Sequence, residues 1–113
     1  MASSLTTETP HPTAKVVTLD DYHPVVGPTE VDEIRALGHR LAGKSVKMVN
    51  STSVGGGVAE ILNRLVPLLS DVGLPTRWEV ITGGNDFFEV SKAFHNALHG
   101  APYEASWRAF ELF

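Results

Sequence analysis

Three consecutive glycines, Gly55, Gly56 and Gly57, form the strongest candidate for a ligand site in this sequence. Residues without a Cβ atom let a ligand approach the backbone closely. The glycines follow a polar run at residues 50–53 (Asn-Ser-Thr-Ser) and precede a helical pattern, so the first free N–H groups of that helix would point toward the same place. An anion or a sugar hydroxyl suits such a turn. A tight connection that needs small residues only for packing would explain the glycines equally well.

The glycine turn does not match the common nucleotide-binding motifs. A P-loop requires Gly-Lys-Ser or Gly-Lys-Thr after its glycines, and no such sequence follows here. A dinucleotide fingerprint expects a third glycine where Glu60 stands and an acidic residue at the end of the next strand, where Ile81 and Thr82 stand. The sequence also has no cysteine and no nucleophile-elbow pattern. The turn therefore indicates a ligand site without indicating a reaction.

Three other polar groups carry weaker signals. His95 and His99 are four residues apart, the spacing of two metal ligands on one helical face. No third ligand accompanies them, so we predict surface or core histidines and no metal site. Residues 20–23 (Asp-Asp-Tyr-His) suit either a hydroxylated ligand or a solvated turn. Glu60 and Arg64 have the spacing of an ion pair along an exposed helical face.

A strand and a helix must position the glycine turn. The apolar run at residues 46–49 predicts a short buried strand, and residues 58–72 have the period of an amphipathic helix. Pro67 should bend or split that helix because proline removes a backbone hydrogen bond. Gly73 and Leu74 should end it. The predicted core-facing stripe of this helix consists of Val58, Ile61, Leu62, Leu65, Val66, Leu69 and Val72.

The chain after this helix predicts a second strand and two more helices. Residues 76–82 predict a strand that lies parallel to the first, because a helix separates the two. Residues 86–98 predict a helix that ends at Gly100 and Pro102. Its predicted inward residues are Phe87, Val90, Phe94 and either Ala97 or Leu98. A last helix is predicted from Trp107, Phe110 and Phe113, and these aromatic residues lead us to expect self-association into a homo-oligomer.

The chain before the first strand predicts one helix. Thr29 and Asp32 have the spacing of a capping box, and Val31, Ile34, Leu37 and Leu41 supply an apolar stripe. Residues 15–19 predict a short strand or an extended arm. Residues 1–14, rich in Ser, Thr and Pro, predict a disordered tail.

Composition excludes several classes of partner. A net charge of −4 without a Lys/Arg cluster argues against nucleic acid and anionic membrane surfaces. No apolar run approaches the ~20 residues of a membrane span, and the N-terminus lacks the features of a secretory signal. The absence of cysteine fits a reducing compartment. We expect one small α/β domain in the cytoplasm.

Three segments resemble a known family. They are LDDYHPVVG at residues 19–27, VNSTSVGGGVAEILNRLVPLLSDVGLPTRWEVI at 49–81 and FFEVSKAFHNALHG at 87–100. In this order they closely resemble the N-terminal region of the trehalose synthases, which are retaining, two-domain (GT-B) glycosyltransferases of family 4, and of the related trehalose phosphorylases. The resemblance extends over about residues 17–100.

The resemblance implies a fold and a reaction. The fold would be the N-terminal part of a GT-B Rossmann-like domain over residues 15–113, a βαβα unit with a small parallel sheet flanked by helices. The reaction would transfer glucose from an NDP-glucose to glucose, forming trehalose with retention and without a cofactor or an obligatory metal. The substrates of the full-length enzyme would be glucose or trehalose and an NDP-glucose. The donor nucleotide, and the choice between synthase and phosphorylase, stay open.

The resemblance also implies roles for single residues. Gly55, Gly56 and Gly57 would contact the donor phosphate or the transferred sugar, and Asn50 and Ser51 would bind sugar hydroxyls. The acceptor side would be lined by Glu60, His95 and Asn96. The domain that binds the donor nucleotide is absent from these 113 residues, so the isolated chain is expected to be inactive. The alternative is a stand-alone, non-catalytic α/β module that binds sugar or self-assembles.

Overall fold

The computed structural model describes residues 5–10 and 15–112 and divides into two compact units. We call Thr7–Ile81 the large unit, and Met1–Thr6 with Thr82–Phe113 the small unit. The elements in chain order are β1 (Thr6–Glu8), a 3-10 turn (Leu19–Tyr22), α1 (His23–Val26), α2 (Pro28–Arg40), β2 (Val46–Asn50), α3 (Gly57–Asp71), β3 (Thr76–Thr82), α4 (Asn85–Leu98) and α5 (Trp107–Glu111).

The sheet confirms the α/β class but corrects the prediction that all of its strands are parallel. Its strand order is β1-β3-β2, and β2 pairs with β3 in parallel from Val46 opposite Thr76 to Asn50 opposite Val80. The parallel pair and its crossover helix are as predicted, and the order β2-α3-β3-α4 is consistent with a partial Rossmann-like unit. The expectation of a parallel sheet is wrong for the third strand, because β1 makes the sheet mixed.

The core of the large unit lies between α3 and one face of the sheet. Ala59, Leu62 and Trp78 are buried there, and Met48, Val66 and Val80 pack against them. The other face of β2 is open, since Lys47 and Val49 are exposed, so β2 is half-buried where a buried strand was predicted. Alternating side chains explain this pattern, because successive residues of a strand point to opposite faces.

Helix α3 contradicts part of its predicted stripe. Val58 and Ile61 are 59% and 60% exposed. Leu62 is buried against the sheet as predicted, and so is Ala59, which lay outside the predicted stripe. An apolar stripe of seven residues is wider than the contact that one helix makes, so the pattern does not fix which edge of the stripe is buried. The helix also continues through Pro67 without splitting. Proline removes one backbone hydrogen bond there, and the neighbouring Val66 packs on the core.

The end of α3 confirms the predicted stop signal. Gly73 has φ 91°, its N–H donates to the Ser70 carbonyl, and the Leu74 N–H donates to the Leu69 carbonyl at 3.0 Å. This pair of bonds is a Schellman motif, which satisfies carbonyls that have no partner inside the helix. Leu74 is buried, as the motif requires.

Helix α2 packs against the last turn of α3 through a glycine. Gly38 is buried, and a Cβ atom at this position would run into the backbone carbonyl of Val72. Val31 is buried, but the rest of the predicted apolar stripe (Ile34, Leu37 and Leu41) is exposed. Close contact of two backbones therefore replaces side-chain packing along this part of α2.

The predicted capping box of α2 is wrong. The helix begins at Pro28, directly after Gly27 with φ 87°, and no side chain caps it. Proline favours the first helical position because its φ is already helical, so α2 starts before Thr29 is reached.

The short strand that was one of the two predictions for residues 15–19 is not present, since residues 15–18 form no strand.

A capping box forms earlier in the chain, at the 3-10 turn. The Asp21 carboxylate accepts hydrogen bonds from the Thr18 backbone N–H (2.8 Å) and hydroxyl (3.1 Å), and these bonds lower the pKa of Asp21. Asp20 pairs with Arg35 at 2.7 Å. The acidic residues of the 20–23 cluster therefore hold the turn and dock it on α2.

The N-terminal strand β1 is an edge strand where a disordered tail was predicted. The Thr7 hydroxyl donates to Glu79 Oε2 at 2.7 Å, and the hydroxyls of Thr6 and Thr82 are hydrogen-bonded to each other. All three residues of β1 are exposed, so polar bonds, not burial, hold the strand. Residues 1–4 and 11–14 of the predicted tail lie outside the described residues.

The small unit confirms both predicted helices. Phe87 of α4 is buried and Ala97 is half-buried, but Leu98 is 87% exposed, so Ala97 is the inward residue of the two alternatives. Ser106 caps α5 by accepting from the Ala109 N–H. Trp107 and Phe110 are exposed; Phe113 lies outside the described residues.

We expect Gly38→Ala to lower the free energy of unfolding by about 1–3 kcal/mol, although alanine is the better helix former. The new Cβ atom would force α2 away from the Val72 carbonyl, and overpacking of this kind costs more than helix propensity returns. Urea unfolding followed by circular dichroism measures the effect. Ala36→Gly, at an exposed position of α2, is the control and should cost about 1 kcal/mol. A more stable Gly38→Ala variant would contradict the close α2–α3 contact.

The docking of β1 is expected to weaken in acid. Hydrogen bonds from Thr7 and then from Lys47 hold the pKa of Glu79 below its ordinary value in the folded chain. The stabilisation is therefore complete above the unfolded-state pKa of about 4.3 and is lost as the pH falls through the lower, folded-state pKa. Amide exchange protection of Thr6–Glu8, corrected for intrinsic rates, should fall in that window. Glu79→Gln should remove this pH dependence, and Glu89→Gln, at an exposed site on α4, should retain it.

Candidate functional site

The candidate site lies where β2 ends and α3 begins. We call residues 51–57 the glycine loop. The Asn50 side chain donates to the Thr52 carbonyl at 2.6 Å, and the Thr52 hydroxyl donates to the Val54 carbonyl and accepts from the Val54 N–H. These bonds order the first half of the loop locally. Thr52 was not among the predicted site residues, although a threonine two residues before a turn can form this motif.

The Asn50 amide also reaches the core. Its Oδ1 accepts from the indole N–H of the buried Trp78 at 2.7 Å. Both ends of the amide are therefore in use, one on Trp78 and one on Thr52. The structure gives Asn50 a positioning role for the loop. One N–H and one lone pair remain for any direct contact with a sugar.

The three glycines have an open space in front of them. Gly55 and Gly56 have φ 71° and 82°, in the left-handed region that side-chain-bearing residues rarely adopt. Gly57 has an ordinary φ. A Cβ atom at any of the three would meet no heavy atom within 4 Å. The explanation that these residues are small for packing alone is therefore wrong: backbone conformation requires glycine at two positions, and an open approach to the backbone is left at the third.

The start of α3 offers backbone donors and one carboxylate. No side chain caps its N-terminus at Gly56, and Ser51 and Glu60 are exposed. The predicted Glu60–Arg64 ion pair is absent; Arg64 donates instead to the Lys15 carbonyl at 3.3 Å. The Glu60 carboxylate can accept hydrogen bonds from hydroxyl groups of a ligand, while the first N–H groups of α3 stay available to an acceptor atom or an anion.

A cleft of about 190 Å³ lies at the carboxyl end of the sheet, beside the glycine loop. Glu8, Ser53 and Val80 line it, together with Thr9 and Pro10. No pattern in the sequence points to Glu8, which lies in the predicted disordered tail. A second cleft of about 160 Å³ lies between α3 and the start of β3, is mainly apolar, and contains none of the predicted site residues.

His95 and Asn96 belong to the small unit, whereas the other predicted site residues belong to the large unit. Both lie near the end of α4 with exposed side chains. His99 Nδ1 lies 2.9 Å from the His95 carbonyl oxygen, and the two rings are 4.5 Å apart. The Asn96 carbonyl accepts from the N–H groups of His99 and Ala101 and so helps to end the helix. That His95 or Asn96 contacts a sugar stays a prediction.

Within residues 5–10 and 15–112, no three His, Asp or Glu side chains are grouped closely enough to hold a metal ion. No helix in that part of the chain is both long and apolar enough to cross a membrane.

Comparison with known proteins confirms the resemblance noted from the sequence. The trehalose synthase of Thermococcus litoralis is 55% identical over 82 residues, which cover 73% of this chain and 20% of that protein. The trehalose synthase of Pyrococcus furiosus gives the same values. That of Rubrobacter xylanophilus is 49% identical over 86 residues, 76% of this chain and 21% of the relative.

The chain thus spans about a fifth of the length of the curated relatives it matches. A family model described as "Trehalose synthase, N-terminal domain" matches residues 48–113, more than half of the chain. These residues include the glycine loop, α3, β3 and α4. The chain therefore belongs to the trehalose synthase N-terminal domain family.

Proposed function

We propose that this chain is the acceptor-side segment of a glycosyltransferase that makes trehalose from an NDP-glucose and glucose with retention. The observation that carries the proposal is the open glycine loop at the carboxyl end of β2. Ligands of parallel α/β sheets bind at this end of the strands. The names of the relatives support the choice of trehalose as the product.

The proposed role of the loop is electrostatic. The first N–H groups of α3 would stabilise the negative charge that develops on the leaving phosphate of the donor. Gly57 would let that group approach the backbone, because no side chain stands in the way. The bonds from Asn50 to Trp78 and Thr52 would hold the loop in place before the substrate binds. Donors that are already oriented need no reorganisation during the reaction.

The acceptor would bind through side chains around the loop. Ser51 and Glu60 supply an exposed hydroxyl and carboxylate, which suit the hydroxyl groups of glucose. The family likeness alone leads us to propose that His95 and Asn96, in the small unit, also bind the acceptor sugar. In this GT-B arrangement the donor nucleotide would be held by a second domain, so the 113-residue chain is proposed to be inactive by itself.

One observation favours a second candidate, a non-catalytic module that self-assembles. Trp107 is 85% exposed, and its ring lies 6.0 Å from that of Phe110, which is also exposed. Exposed aromatic pairs of this kind often mark interaction surfaces. A homo-oligomer that forms without any affinity for glucose or an NDP-glucose would favour this candidate over the first.

We expect Gly57→Ala to impair function without loss of stability. The residue has an ordinary φ and open space around it, so alanine should leave the free energy of unfolding unchanged or raise it by about 0.4–1 kcal/mol. Its methyl group would stand between the ligand and the N–H groups of α3. In a chimaera in which this chain replaces the matching segment of the Thermococcus litoralis enzyme, kcat for trehalose formation should fall by about 10²-fold.

The control for this experiment is Ile61→Ala, an exposed substitution one turn further along α3, which should leave the rate unchanged. A Gly56→Val variant would test the loop less clearly than Gly57→Ala, because Gly56 has a positive φ and valine there would add backbone strain. Each chimaera is assayed with ADP-, GDP- and UDP-glucose. Full activity of the Gly57→Ala chimaera would remove the loop from the mechanism. An unsubstituted chimaera that folds but forms no trehalose would contradict the proposed function.

A further inference from the structure

We propose that Glu8 is a further sugar-binding residue, whose carboxylate accepts hydrogen bonds from two neighbouring hydroxyl groups of a hexose in the cleft beside the glycine loop. The inference rests on the proposed function and adds to it a residue that lies outside the segment matched by the family model.

Strand β1 aims Glu8 at the cleft. The Thr7 side chain bonds to Glu79, whose neighbours Trp78 and Val80 point to the opposite, core-facing side of β3. Successive side chains of a strand alternate between faces, so Glu8 lies on the same side of the sheet as Val80. Both residues line the cleft. The Thr7–Glu79 bond therefore sets the direction of the Glu8 side chain as well as the position of the strand.

The cleft has the size of one sugar ring. Its volume is about 190 Å³, which leaves room for several water molecules or for one small ring. Val80 supplies an apolar wall for a C–H face of the ring, and Ser53 supplies a hydroxyl that both donates and accepts. Ionised Glu8 has two acceptor oxygens and can take two hydroxyl donors at once. These groups match one hexose better than a disaccharide or a nucleotide.

The charge of the cleft selects a neutral ligand. Glu8 is the one charged residue among the described residues that line it, and these residues include no Lys or Arg that would attract a phosphate. A phosphate group would meet the carboxylate directly and be repelled. The described residues also hold no cluster of carboxylates and imidazoles that would make Glu8 a metal ligand. The cleft therefore suits an uncharged ligand with hydroxyl groups, and the acceptor sugar is such a ligand.

The test is an amide NMR titration of the 113-residue chain with D-glucose. We expect shifts at Glu8, Ser53 and the glycine loop, and a Kd about tenfold higher for Glu8→Gln, since a hydrogen bond to a charged group typically contributes that much. Glu33→Gln removes the same charge from an exposed position on α2 and should leave the Kd unchanged. Glu8→Asp, which keeps the charge, should lie between the wild type and Glu8→Gln.

Monodeoxy glucoses identify the hydroxyl groups involved. The sugar that lacks a hydroxyl bound by Glu8 should bind the wild type about tenfold more weakly and should bind Glu8→Gln with no further loss. Protection of the Thr6–Glu8 amides from exchange checks that β1 stays docked in each variant. Glucose binding within twofold in wild type and Glu8→Gln would overturn the role of Glu8 and leave the proposed function standing. No glucose shifts in the folded wild type would overturn this inference and count against the acceptor site itself.

Discussion

The hydrogen bond between the Trp78 indole and the Asn50 amide links the core of the large unit to its candidate site. Burying Trp78 between α3 and the sheet contributes apolar area, but it also buries an N–H that must find an acceptor. Asn50 supplies this acceptor at the last position of β2, and its other end fixes the Thr52 carbonyl. Thr52 then orders Val54. The packing of one aromatic residue thus helps to set the geometry of the loop. A substitution that moves Trp78 in the core should therefore change the conformation of the loop even without a ligand.

A polar bridge on the opposite face of the sheet plays the corresponding part for β1. Glu79 accepts from Thr7 on one neighbouring strand and pairs with Lys47 on the other at 3.0 Å. One carboxylate therefore joins all three strands. The arrangement suits an edge strand that has no apolar side chain to bury, because a short polar edge resists pairing with other chains while its own contacts hold it in place. It also explains how a segment without hydrophobic pattern reaches the carboxyl end of the sheet.

The sequence predicts those parts of the fold that depend on local chemistry. The two parallel strands, α3 and α4 follow from periodicity, and Gly73 marks its helix end because a left-handed residue is needed there. Two of the remaining features depend on partners distant in the chain. The sheet decides which side of α3 is buried, and β1 depends on Glu79, more than 70 residues away. The start of α2 is a local feature, but two neighbouring residues, Pro28 and Thr29, are competing candidates for it. Within the site, the glycine loop can be predicted from the sequence. The cleft beside it cannot, because β1 forms part of its lining and β1 was not predicted.

The two halves of the glycine loop are ordered by different means, and the difference bears on function. Polar side chains fold residues 51–54 back on themselves, which limits their motion at the end of β2. Residues 55–57 have no such bonds and no neighbours where their Cβ atoms would be. Glycine loses more conformational entropy on folding than other residues, so three in succession reduce stability where no packing gain offsets the cost. Stability alone would favour a larger residue at least at Gly57, whose φ permits one. A rigid support next to an uncovered stretch of backbone is the arrangement that a ligand site requires, since the support keeps the donors oriented and the missing side chains leave them accessible. Folding therefore explains the glycines at positions 55 and 56, where φ is positive, but it does not explain Gly57.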